Sequence, residues 1–370
     1  MKRILACVLF LLLIPACASA REWMQEMQDV LAELDIASLQ AASDGLDVQE
    51  MLEKLVRGEV IMSAEETLAK LLQQAAGVFR KSIWRMTRLM VPALLTAAVD
   101  WLRPGASGKA AQYAGTAMTM AFLVADLREH AALAVVTVGR LADWMQALFP
   151  LMVTLLTAVG GAAGSAFYQP AVMAAAGSMT TLLRQLTMPL AIGTAVLTMV
   201  DGLSGTLRLG RMCRLFRQAA CWTLGFGFTV FIGVMTVQGV SMAALDGISL
   251  RTAKFAVDRF VPIVGGMFSD TVDTLVGCSL VIQHAVGTLG LIVLLGMLLA
   301  PLVRTVMTMF LYRASAALLE PVSDGPLCRV VGGYADVFSL LFTIQLSAGA
   351  MFLLLVAQLV AAADITVMLR

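Results

Sequence analysis

From residue 89 onward the chain keeps returning to apolar runs that are too long and too frequent for a soluble core. Clear runs fall at about 110–125, 145–160, 186–203, 219–245, 285–311 and 338–363, with weaker ones at 89–102 and 166–183. A helix that crosses a bilayer needs about 20 mainly apolar residues, and several runs approach or pass that length. Composition points the same way. Charged residues are 14% of the 370 and hydrophobic residues 59%, where a soluble domain carries about 25% charge. So little charge cannot coat a water-soluble surface of this size, which excludes a soluble enzyme, and so much apolar side chain excludes a disordered chain. Aromatics are 7%, too few for the girdles of a β-barrel. The expected fold is all-α: a polytopic integral membrane helical bundle of about 6–8 spans, some short or re-entrant. A net charge of +1 provides no field for nucleic acid, so lipid is an expected partner and nucleic acid is not.

The few charges are unevenly placed. Between Arg21 and Glu66 lie 12 of the 25 acids, so a wet N-terminal segment precedes a greasy body. Ahead of it, Lys2 and Arg3, the apolar stretch from Ile4 to Ile14, and Ala18-Ser19-Ala20 have the three-part pattern of a secretory signal peptide over 1–20, cut after Ala20. Two other readings stay open: an uncleaved anchor, and a weak lipobox ending at Cys17. Cleavage places the segment 21–88 outside the cytoplasm. Its apolar residues recur at helical spacing: Trp23, Met27, Val30, Leu31 and Leu34, then Val48, Met51, Leu52 and Leu55 behind an N-cap at Asp47. Ser43-Asp44-Gly45 separates these two helices, and Ser63 to Glu66 fits a capping box for a third. Arg80, Lys81, Arg85 and Arg88, interleaved with Phe79 and Trp84, read as a helix side at a lipid headgroup layer.

The body divides into membrane helices over 89–245, a polar stretch over 246–284 and membrane helices over 285–370. Arg208, Arg211, Arg214 and Arg217 share one short loop, which the positive-inside tendency places in the cytoplasm. The 219–245 helix then runs outward and the 285–311 helix returns. Within the polar stretch, Asp270 and Asp273 lie three residues apart on one helical face, after a start broken by Pro262 and Gly265. An interfacial or re-entrant helix fits this pattern, serving either as a polar lining for a passage or simply as a face turned to water. Gly160, Gly161, Gly164, Gly193, Gly225, Gly227, Gly233 and Gly239 suit close helix packing. Arg304 sits inside a strongly apolar run and is expected to snorkel to the cytoplasmic edge.

Chemistry-bearing motifs are absent. The sequence has no P-loop, no H-E-x-x-H and no C-x-x-C, and its only histidines are His130 and His284. No catalytic residue, metal ligand or cofactor site is assigned, and no structural disulfide is expected from the six scattered cysteines.

One part of the chain does carry a resemblance. Asp246-Gly247-Ile248-Ser249-Leu250-Arg251-Thr252-Ala253-Lys254-Phe255, followed by the run from Phe260 through Pro262, Gly265, Asp270 and Asp273 to Thr274, resembles a distinctive stretch of the stage III sporulation protein AE family. Further on come Pro301, Arg304 and Leu311-Tyr312-Arg313, then Glu320-Pro321-Val322-Ser323-Asp324, also similar to that family. The family tends to carry Lys at the places of Arg304 and Arg313, and Gln at that of Glu320. The resemblance covers about residues 240–370.

The resemblance implies a place in the mother-cell membrane around the engulfed forespore of an endospore former. It implies work beside the other proteins of the same operon, AA to AH, of which AA is the ATPase, and beside stage II sporulation protein Q. Such a member is expected to be a noncatalytic piece of a secretion-like channel, or feeding tube, that sustains late forespore gene expression. Self-association into a homo-oligomer is left open. The alternative is a self-sufficient permease for a small solute, for which paired repeats and broken helices are the usual signs.

Overall fold

The computed structural model describes residues 37–42, 47–56, 64–102, 106–158, 162–203, 209–260, 265–321 and 326–368. The signal-peptide pattern, the helix expected around Trp23 to Leu34, the capping residue Ser63, Pro262 and Asp324 lie outside them. Among the described residues every regular element is helical. Two short helices come first, α1 (Ala37–Ala42) and α2 (Val48–Val56). Long ones follow: α3 (Ala64–Leu102), α4 (Ala106–Ala158), α5 (Ala162–Leu182), α6 (Met188–Leu203), α7 (Gly210–Phe260), α8 (Gly265–Leu319) and α9 (Pro326–Met368).

Local chemistry explains several of these boundaries. Asp47 caps α2 as expected, its Oδ1 accepting the Glu50 N–H at 3.2 Å. The predicted apolar face of α2 is the one that docks: Val48 and Leu52 are buried, with Met51 and Leu55 packed beside them. Between α5 and α6 the chain makes one π turn, Leu183–Thr187, where the Thr187 hydroxyl donates five residues back to the Leu182 carbonyl at 3.3 Å. Prolines 92, 150, 170 and 301 are carried inside helices. Each removes one backbone donor, a loss that neighbouring helices and hydroxyl side chains can make good at membrane depth.

Among the described residues, four stretches are long and apolar enough to cross a membrane: Gln169–Gly202, Gly210–Gly239, Gly277–Leu319 and Leu327–Ala362. They account for the expected runs near 166–183, 186–203, 219–245, 285–311 and 338–363, with the first two joined through the π turn. The runs at 110–125 and 145–160 lie on the single helix α4. That helix is interrupted in the middle by charge, and it is not among the four.

Helix α9 is the axis of the bundle. Val331, Tyr334, Phe338, Leu341, Ile344, Ala348, Met351, Phe352 and Leu355 are all buried along it. It packs on α8, α4, α6 and α7. The closest approaches fall on glycines other than those the sequence suggested, of which Gly160 and Gly161 lie outside the described residues. A β-carbon on Gly349 would run into Leu298 Cδ2, one on Gly287 into Val360 Cγ2, and one on Gly290 would meet Leu148 Cδ2 at 2.5 Å. Gly193 and Gly227 do approach side chains, at 3.1 Å, but Gly225, Gly233 and Gly239 face open space. The reason is positional: the seam of α8 with α4 and α9 is the crowded one, whereas α7 turns much of its length outward, with Trp222 78% exposed.

Candidate functional site: a charged clamp between helices

Midway along α4, Asp126, Glu129 and His130 fall at i, i+3 and i+4, so all three leave the helix on one side. Arg304, Thr308 and Tyr312 repeat at i, i+4 and i+8 on α8 and form a matching stripe. The two helices run antiparallel: Asp126 meets Tyr312, His130 meets Thr308, and Trp144 donates to the Gly290 carbonyl at 3.4 Å. Arg85 reaches in from α3. The result is a polar cluster assembled from three helices and backed by aromatic rings of a fourth.

Glu129 is its hub. Its carboxylate accepts from Arg85 Nη2 at 2.9 and 3.2 Å and from Arg304 Nη2. Arg85 Nη1 also stands 3.9 Å from Asp126 Oδ1. The phenol of Tyr312, 1% exposed, donates to Asp126 Oδ2 at 2.7 Å. Two guanidiniums and two carboxylates thus balance one another. His130, fully buried, has Nδ1 at 2.9 Å from the Asp126 carbonyl and Nε2 at 2.9 Å from Thr308 Oγ1. From α9, Phe338 meets the His130 ring edge-on (5.0 Å, 86°) and the Tyr312 ring face-on (4.9 Å, 7°). A further rung joins α8 to α9, the Thr305 hydroxyl lying 3.0 Å from Gln345 Oε1 and from the Pro301 carbonyl.

Of the residues singled out in the sequence, Arg304 and Tyr312 enter this cluster, with Pro301 one turn before it. Arg304 pairs with Glu129, and both side chains stay partly exposed, at 36% and 43%, so the pair lies at the rim of the bundle. Arg313 is exposed on the other side of α8, and Pro321 lies exposed in the turn after it. Asp246, Gly247, Arg251 and Lys254 sit on the last turns of α7, and Gly265, Asp270 and Asp273 on the first turns of α8. These stretches flank the break that contains Pro262, far along the helices from the clamp. The basic strip of α3 is divided: Arg80 and Arg88 stay exposed, Arg88 over the Trp84 ring at 5.8 Å, while Arg85 turns inward.

Sequence reasoning missed Asp126, Glu129 and Thr308, and met His130 only as one of two histidines. A signal was present: Asp126, Arg128, Glu129 and His130 interrupt the apolar stretch between 110 and 160, a place where unpaired charge is costly.

The class is therefore a membrane protein, helical throughout its described residues, whose charges at the junction of α3, α4 and α8 neutralise one another across helices. Its family is clear from comparison. The family model described as stage III sporulation protein AE matches residues 46–363, and the chain belongs to that family. Stage III sporulation protein AE of Bacillus subtilis (strain 168) is 32% identical over 228 residues, which is 62% of this chain and 57% of that protein. The matched part thus spans little more than half of the relative's length. No solved structure matches the chain.

Proposed function

We propose that the chain is a noncatalytic membrane component of a sporulation channel complex that links mother cell and forespore and sustains late forespore gene expression. Family membership over residues 46–363 is the observation that carries this reading. The clamp supports the noncatalytic part. Its carboxylates and guanidiniums are engaged with each other, an arrangement suited to holding helices together and not to turning over a substrate. On this reading the partners are the other proteins of the stage III sporulation A operon, including the AA ATPase, and stage II sporulation protein Q. The site of action is the mother-cell membrane around the forespore. The N-terminal segment lies in the space between the two membranes, behind a cleaved signal peptide. The continuous helix α4, with its two apolar runs, adds one further crossing to the four spans, toward the expected total of about 6–8.

The test is deletion of the gene in its host, followed by complementation. Loss of heat-resistant spores and of late forespore reporter activity, restored by the wild-type gene, is expected. Normal sporulation of the deletion strain would sink the proposal. Co-purification with operon partners is expected as well, and purification as a lone chain that moves a small solute in vesicles would favour a permease instead.

A further inference from the structure

His130 presents a hydrogen-bonding arrangement that works in two protonation states. Its Nδ1 faces the Asp126 carbonyl, which only accepts, so Nδ1 carries a hydrogen in either state. Its Nε2 faces the Thr308 hydroxyl, which both donates and accepts. That hydroxyl has a second partner, the Arg304 carbonyl, also at 2.9 Å. With a neutral ring, the Thr308 O–H donates to Nε2. With a protonated ring, Nε2–H donates to Thr308 Oγ1 and the hydroxyl turns its hydrogen to the Arg304 carbonyl. A proton can therefore enter or leave without orphaning a buried polar group, a cost that otherwise opposes change in a closed network.

What the proton changes is charge. Arg85 from α3, Asp126 and Glu129 from α4 and Arg304 from α8 sum to zero around the ring. α8 adds the phenol of Tyr312, and α9 adds the ring of Phe338 and the phenol of Tyr334 beside Tyr312. The α9 carboxylate Asp336 is held elsewhere by Arg217 at 2.6 Å. The short helix α1, which packs on α4, carries no charged side chain. An imidazolium makes the cluster positive and repels Arg85, whose pairing with Asp126 and Glu129 helps to hold α3 on α4 beside the buried Leu89 and Ala93.

We propose that His130 is a reversible proton-binding site whose charge state sets the grip of α3 on α4 and α8. The inference is independent of what the complex transports. Two measurements on the full chain in lipid nanodiscs test it. The first follows ¹⁵N-histidine resonances from about pH 7.5 to about pH 4.5, the range in which histidine is the natural titrating group. There are two histidines, and His284→Gln assigns them. Nδ1 of His130 is expected to stay protonated throughout while Nε2 passes from bare to protonated. The second is amide hydrogen exchange over residues 80–95 across the same range, corrected for the chemical rate. Exposure is expected to rise severalfold as the pH falls in the wild type and to stay flat in His130→Gln. Nε2 remaining bare at the acid limit, or identical exchange profiles for wild type and variant, overturns the proposal. Should His130→Gln fail to fold, the resonance titration of the unaltered chain decides alone.

Discussion

Replacing Tyr312 by Phe removes one hydroxyl from the clamp and leaves its ring in place. The ring lies parallel to Phe338 at 4.9 Å and is kept by the substitution, so packing is nearly constant. What is lost is a 2.7 Å hydrogen bond to a carboxylate from a residue that is 1% exposed. Bonds to charged groups contribute about 1.5–3 kcal/mol. Asp126 keeps Arg85 within 3.9 Å as partial compensation, which places the expected cost near the lower end, at about 1.5–2 kcal/mol. Reversible unfolding in mixed detergent micelles, followed by helical circular dichroism, measures it. A double-mutant cycle with Asp126→Ala isolates the pair, and a coupling of about 1–2 kcal/mol is expected because the side chains touch. A single-mutant cost under about 0.5 kcal/mol with no coupling would refute the view that this bond ties α8 to α4.

Gly349→Ala drives a β-carbon toward Leu298 in the tight seam of α8 and α9 and is expected to cost about 1–3 kcal/mol. Gly233→Ala meets nothing within 4 Å and should gain up to about 1 kcal/mol from helix propensity; the same unfolding assay compares the two. Arg217→Ala breaks an ion pair whose partners are 40% and 41% exposed, so melting should register under about 1 kcal/mol. In complementation, Arg304→Lys should retain more sporulation than Arg304→Ala, because a second cation beside Arg85 still reaches Glu129.

The fold class was legible because apolar content acts additively along a helix. Runs such as 285–311 and 338–363 need no knowledge of neighbours to be seen. Face periodicity was equally local, which is why Val48 and Leu52 were found as the docking side of α2. The clamp was not local. Arg85 and Glu129 are 44 residues apart, and Glu129 and Arg304 are 175 apart, so each side chain alone looks like a surface charge or a snorkelling one. Only the antiparallel register of α4 and α8 makes them partners. The same holds for glycines: Gly349 and Gly233 both read as small residues in apolar helices, and their difference lies in what stands opposite. Arg304 drew notice as a charge within an apolar run and Tyr312 through family likeness, before any physical reason for their spacing was in view.

The lengths of the helices carry one more consequence. At about 1.5 Å per residue, the 55 residues of α8 extend for about 82 Å, against a hydrocarbon layer of about 30 Å. Such a rod is far longer than the hydrocarbon layer is thick. Arg304 lies about 58 Å from the first turn of α8, so a small rotation at the clamp is magnified at the far end. A tilt of about ten degrees there sweeps the distant tip, which bears Asp270 and Asp273, through about 10 Å.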